Sequence, residues 1–144
     1  MPLRDAYQII SVEAAIPAAS YSADNTPAAI EVGGFEAVLI SLAIGVGGIT
    51  FDTTNKVEFK LTASDDDSTY AAVADGEVTN CTVGTGGIIK SLVAAHAAAT
   101  VENFGYIGGK KYLKLLADFS GTHGTATPIC ALIVKGNPHL VPVA

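Results

Sequence analysis

Between Val57 and Ser64 apolar and polar residues alternate without a break: Val57, Phe59, Leu61 and Ala63 against Glu58, Lys60, Thr62 and Ser64. A period of two is the pattern of a strand with one face on a core and the other in water. Asp65-Asp66-Asp67-Ser68 follows, and short polar side chains that bond back to their own backbone favour a turn there. Thr69–Val73 then reads as the returning strand of a hairpin, and Asp75-Gly76 as the next turn.

The same texture runs through the rest of the chain from Gly34. Phe35–Ile44 is a nearly continuous apolar run ending in Gly45-Val46-Gly47-Gly48, the pattern of a strand buried on both faces. Val78–Val83 and Ile88–Val93 read as shorter strands, separated by Gly84-Thr85-Gly86-Gly87. The Ala95–Ala99 stretch has helical propensity in β surroundings and stays open. Val101–Ile107 and Lys111–Phe119, joined by Gly108-Gly109-Lys110, are expected to pair as a hairpin. Ala126–Lys135 is the last strand, before Gly136-Asn137-Pro138-His139 and an apolar tail. About eight strands with turn signals every 8–12 residues, and no amphipathic helix, predict an all-β sandwich or jelly-roll-like domain.

Residues 1–32 differ in texture. Ala14-Ala15-Ile16-Pro17-Ala18-Ala19-Ser20 and Asn25-Thr26-Pro27-Ala28-Ala29 are small and proline-interrupted, poor for a helix or a central strand. The expected organisation is an extended N-terminal arm over 1–32, with a possible short strand at Ala6–Val12, and a sandwich over 33–144. Such an arm is stable only when it lies on its own domain or on a neighbour's.

Composition narrows the function. The 144 residues suit one domain with a real core. Only 15% of them are charged, against about 25% in ordinary soluble domains. The apolar runs Ala37–Gly48 and Ile88–Thr100 are broken by Gly, Ser, Lys or His and fall short of the roughly 20 residues a bilayer span needs. The opening Met1-Pro2-Leu3-Arg4-Asp5 lacks the pattern of a signal peptide. Surface covered by other subunits is the remaining explanation for so few charges. The net charge of −6, with Lys110-Lys111 the one adjacent basic pair, speaks against nucleic acid. Cys81 and Cys130 lack CxxC spacing and read as free thiols, with a single disulfide as the alternative.

No motif for chemistry emerges, and no catalytic, cofactor-binding or metal-binding residue is expected. Asp65-Asp66-Asp67 lacks the Gly and Glu positions of an EF-hand and reads as a solvated turn. His96, His123 and His139 are too widely spaced for a local metal motif. There is no GxSxG, and the glycine clusters match no phosphate-binding loop. Five Tyr and no Trp make a weak sugar platform, and Tyr106 and Tyr112 are expected to pair across strands.

Two stretches carry a resemblance. Val57–Ser64, the Asp65–Ser68 turn and Thr69-Tyr70-Ala71-Ala72-Val73 resemble a hairpin of small phage structural proteins. Phe104-Gly105-Tyr106-Ile107-Gly108-Gly109-Lys110-Lys111-Tyr112-Leu113-Lys114-Leu115, with the ending Ala131–His139, resembles the close of the same proteins, as does the opening Leu3-Arg4-Asp5-Ala6-Tyr7. Asn137-Pro138-His139 departs from the more basic form expected there, and Val78–Thr100 matches least. The family is that of tailed-bacteriophage capsid decoration, or cement, proteins. The resemblance implies a non-enzymatic virion subunit, often a homotrimer, made in the host cytoplasm and placed on the outer surface of the capsid. There it clamps neighbouring major capsid protein subunits and touches neither nucleic acid nor membrane. The residues expected at interfaces are Leu3, Arg4, Tyr7, Ile16 and Tyr21 of the arm, and Tyr106, Lys110 and Tyr112 about the glycine turn. A carbohydrate-binding sandwich on the virion and a tail or head–tail connector subunit are the alternatives.

Overall fold

The alternating segment forms β4 (Lys56–Ser64), and its apolar members Val57, Phe59, Leu61 and Ala63 are all buried. The computed structural model describes residues 6–139, which contain ten strands in two antiparallel sheets. Sheet A has the order β1-β10-β3-β8-β6, from β1 (Ser11–Tyr21), β3 (Phe35–Ile44), β6 (Val78–Thr79), β8 (Thr100–Tyr106) and β10 (Thr127–Pro138). Sheet B has the order β2-β9-β4-β5, from β2 (Ile30–Glu31), β4, β5 (Ala71–Ala72) and β9 (Tyr112–Ser120), with β7 (Ile88–Leu92) also paired to β4. A 3-10 turn at Asp75–Glu77 is the one helical element among the described residues. The protein is an all-β sandwich.

The core lies between the sheets. Ile40, Leu42 and Ile44 of β3, Phe104 of β8 and Ile129, Ala131 and Ile133 of β10 form the sheet A side. Leu113, Leu115 and Ala117 of β9 join the four β4 residues on the sheet B side. Each large side chain taken fully out of water contributes about 2 kcal/mol. At Gly87 the backbone has φ +84, and a Cβ would sit 2.4 Å from the Leu61 carbonyl oxygen, so a side chain there meets both strain and a clash. The Gly84–Gly87 cluster thus serves the close approach of its loop to β4, whose Leu61 N–H donates to the Gly87 carbonyl.

Several expectations change. The 101–119 segment is not a hairpin: β8 pairs with β3 and β6 in sheet A, whereas β9 pairs with β4 and β2 in sheet B. The glycine turn carries the chain across the sandwich, so that Phe104 and Tyr106 on one side and Leu113 and Leu115 on the other enter the same core. Backbone groups at the corner find other partners. Ile107 N–H donates to the Glu77 carbonyl, Lys111 N–H to Ser64, and the Tyr106 hydroxyl accepts from Lys110 N–H. Tyr106 and Tyr112 consequently do not pair across strands. The Thr69–Val73 return of the first hairpin forms a strand on β4 only at Ala71 and Ala72, with one further bond from the Val73 N–H to the Leu61 carbonyl.

From residue 11 onward the N-terminal region lies on its own domain. β1 pairs with β10 over nearly its whole length, and Ala15 and Ile16 are fully buried. The chain then crosses to sheet B, where Ile30–Glu31 pairs with β9 and Ile30 and Val32 enter the core. Between them Asn25 acts as a substitute peptide group on the β9 edge: its Nδ2 donates to the Leu115 carbonyl and its Oδ1 accepts the Ala117 N–H. Asp24 likewise accepts the Phe119 N–H. Propensity is poor in this stretch, but pairing with a strand more than a hundred residues away overrides it. The possible strand at Ala6–Val12 begins only at Ser11.

Candidate interaction surface

Sheet A has an unusual outer side. Along β10 the core positions Ile129, Ala131 and Ile133 alternate with Pro128, Cys130, Leu132 and Val134, which face away from the core. The register extends this row by row. Val134 stands beside Val12 and Leu39, Leu132 beside Ala14 and Ser41, and Cys130 beside Ala43, itself beside Val101 of β8. Leu132 and Leu39 are each 37% exposed, Val12 52% and Val101 65%. Scattered exposed apolar residues are ordinary, but a contiguous patch marks an interaction site.

No charge interrupts that face. The strands of sheet A carry four charged residues, Glu13, Glu36, Glu102 and Lys135, and every one falls at the core-side parity. Each is held by a partner at the margin of the sandwich. Lys135, only 5% exposed, donates to the Glu13 carboxylate and the Glu31 carbonyl, with its ammonium 5.0 Å from the Phe35 ring centroid. Glu102 meets Lys90 at 2.7 Å and Glu36 meets His139 at 2.6 Å. The strand expected to be buried on both faces, Phe35–Ile44, is therefore buried on one, and its other side lies open.

The β1 edge adds relief to this face. The register of β1 on β10 shifts between Ala14 and Ile16 and again between Ile16 and Ala19, with one extra residue on β1 each time. Pro17, which has no N–H to give, sits in the second bulge, where the ladder is already interrupted. Beside it lies a shallow apolar groove of about 330 Å³, lined by Ala18, Ala19, Ala43, Gly45, Pro128 and Cys130.

The remaining candidates resolve into structure. Asp66 spends its carboxylate on its own turn: the Ser68 and Thr69 N–H groups and the Ser64 hydroxyl all donate to it. The Thr69 N–H, the Ser64 hydroxyl and the Ser68 N–H together lower its pKa to about 2. Asp65 pairs with Lys110, and Asp67 accepts from the Tyr70 hydroxyl. Among the described residues no group of three His, Cys, Asp or Glu is placed to hold a metal. His123 packs edge-on against Phe119 and bonds the Ser120 carbonyl, while His96 approaches the Ile44 carbonyl. Both cysteines are free, and burial raises the Cys81 thiol pKa, away from the reactive thiolate.

The residues expected at interfaces are dispersed. Leu3 and Arg4 lie outside the described residues. Tyr7 is exposed, Ile16 is in the core, and Tyr21 is half-buried with its hydroxyl donating to the Pro17 carbonyl. Tyr106 is buried, Lys110 is exposed in its ion pair with Asp65, and Tyr112 lies half-buried in β9 opposite Ser64. None of them stands on the outer face of β10 and β3, which single-residue reading missed. Its signal is the parity of Glu13, Glu102 and Lys135, visible only once strand register is known. Comparison with protein-family models, curated proteins and solved structures found no match.

Proposed function

We propose that this chain is a structural virion subunit that binds the outside of a phage capsid and cements neighbouring major capsid protein subunits, working as a homo-oligomer for which a trimer is the form the resemblance implies. The observation that carries the reading is the uncharged outer face of sheet A. A chain that gives every charge of five strands a polar partner of its own, and leaves mostly aliphatic side chains outward, is suited to burial between subunits. The acidic net charge of −6 suits a position outside a shell, away from packaged DNA. A tail or connector subunit would use the same face. A carbohydrate platform is less favoured, because the outer positions of β1, β10 and β3 hold mostly small or aliphatic residues and a single aromatic ring, Phe35, which the Lys135 ammonium already approaches.

The test is binding to heads assembled from the major capsid protein of the same phage. Expected are co-sedimentation at saturating stoichiometry and cryo-EM density on the outer surface that bridges capsid subunits. Heads that sediment without the protein would sink the proposal.

A further inference from the structure

We infer that the outer face of sheet A is covered by a second copy of this chain, packed face to face about a two-fold axis. The inference rests on reading the chain as an assembly subunit and names the partner of that surface. The first argument is the sequence of the strands themselves. Ala37–Ile44, interrupted only by Ser41, and the Ile129–Val134 part of β10 are apolar runs, the pattern of strands buried on both sides, and one chain covers only one side.

The second argument is charge. Any second copy carries the same −6, so most ways of bringing two copies together oppose like charges. The outer side of sheet B would have to match its own mixed charges, Lys56, Glu58 and Lys60 on β4 with Lys114 and Asp118 on β9, against a copy of themselves; the outer side of sheet A sets no charge in the way. A two-fold contact must be self-complementary, and an uncharged, mostly aliphatic face sets no like charges against its own copy.

The third argument is area. Four strands of about nine residues, β1, β10, β3 and β8, span roughly 30 Å by 19 Å. Two copies would bury about 1,100 Å² in projection, and the corrugation of the side chains brings this into the range of specific, stable interfaces. Sheets stack face to face about 10 Å apart, and the arrangement continues the sandwich by one layer. One sheet face opposes one copy at a time, so this contact builds pairs in place of the trimer that the resemblance implies; a three-fold ring would have to join two different patches.

The experiment is mass in solution by sedimentation equilibrium of the full chain at about 50 μM. The chain mass is 14.6 kDa, and the expected species is a dimer of twice that. Leu132→Glu, at a position 37% exposed, should leave the circular dichroism spectrum unchanged and weaken association at least 100-fold, giving the monomer mass. Leu39→Glu provides the second variant should the first fail to fold. Thr62→Glu, on the outer side of sheet B, should leave the dimer intact. A wild-type monomer, a trimer, or a dimer that survives both leucine variants overturns the inference. Head binding is scored separately. A dimer that ignores heads leaves the pairing standing and sinks the virion reading. A monomer that binds heads and loses them on Leu132→Glu does the reverse.

Discussion

The two sheets share a core but not an exterior. On sheet B the positions between the core residues are Lys56, Glu58 and Lys60 on β4, with Lys114 and Asp118 on β9, and opposite charges meet there: Lys56 with Glu58, and Lys60 with Asp118. On sheet A the corresponding positions of β10 and β3 hold Cys130, Leu132, Val134, Leu39 and Ala43. Both sheets obey the same alternation on the inside, so folding alone does not account for the difference. One exterior is charged and the other is apolar.

Neighbours on one strand give the sharpest break of that comparison. Ile133 is fully buried and Leu132, the next residue, faces outward. Ile133→Ala should cost about 3 kcal/mol in chemical denaturation, from lost transfer energy and the cavity left behind. Leu132→Ala, measured below the concentration at which the chain associates, should cost under about 1 kcal/mol. Equal losses would mean that the outer face is already covered within a single chain.

Charges on the two sheets should also differ in worth. Lys135 is buried and depends on Glu13, so Glu13→Gln leaves an ammonium with no carboxylate and should cost about 2 kcal/mol. In the Lys60–Asp118 pair it is the ammonium that differs: Lys60 is half-buried, with its side chain 29% exposed, against 6% for Lys135. Asp118→Asn should cost about 0.5 kcal/mol, falling further with added salt. If the two variants unfold at the same denaturant concentration, the charges of sheet A are not the structural clamps described above.

Local pattern made part of this molecule readable and left the rest dark for physical reasons. The β4 strand follows from Val57, Phe59, Leu61 and Ala63 because a half-buried strand writes its register directly into polarity. The corner at Gly108-Gly109-Lys110 does not, because the same turn residues serve a hairpin and a crossing between sheets; the choice is made by where Phe104 and Leu113 find a core. β1 was hidden by its alanines and Pro17, whose place in the sheet depends on distant β10. The apolar face was half legible. The low charged share is plain in the composition, but only the register of Glu13, Glu102 and Lys135 shows which side of sheet A is left without charge.

Acid offers the smallest and most local contrast. In the turn after β4 the Asp66 carboxylate accepts from Ser64, Ser68 and Thr69, which lowers its pKa from 3.8 to about 2. A depressed carboxylate contributes stability that is complete above its unfolded value and is lost as pH falls through the folded one. The turn should therefore hold at pH 5 and loosen between about pH 4 and pH 2. Amide proton shifts of Ser68 and Thr69 in an NMR titration should report a midpoint near 2, and Asp66→Asn should abolish the step. The amides of Leu132 and Leu39 should not follow it, since no carboxylate lies on their face of sheet A. A midpoint near 3.8 would mean that the carboxylate does not hold the turn. A matching step at Leu132 would mean that the two exteriors are coupled through the core, and that the uncharged face is not the independent surface its chemistry describes.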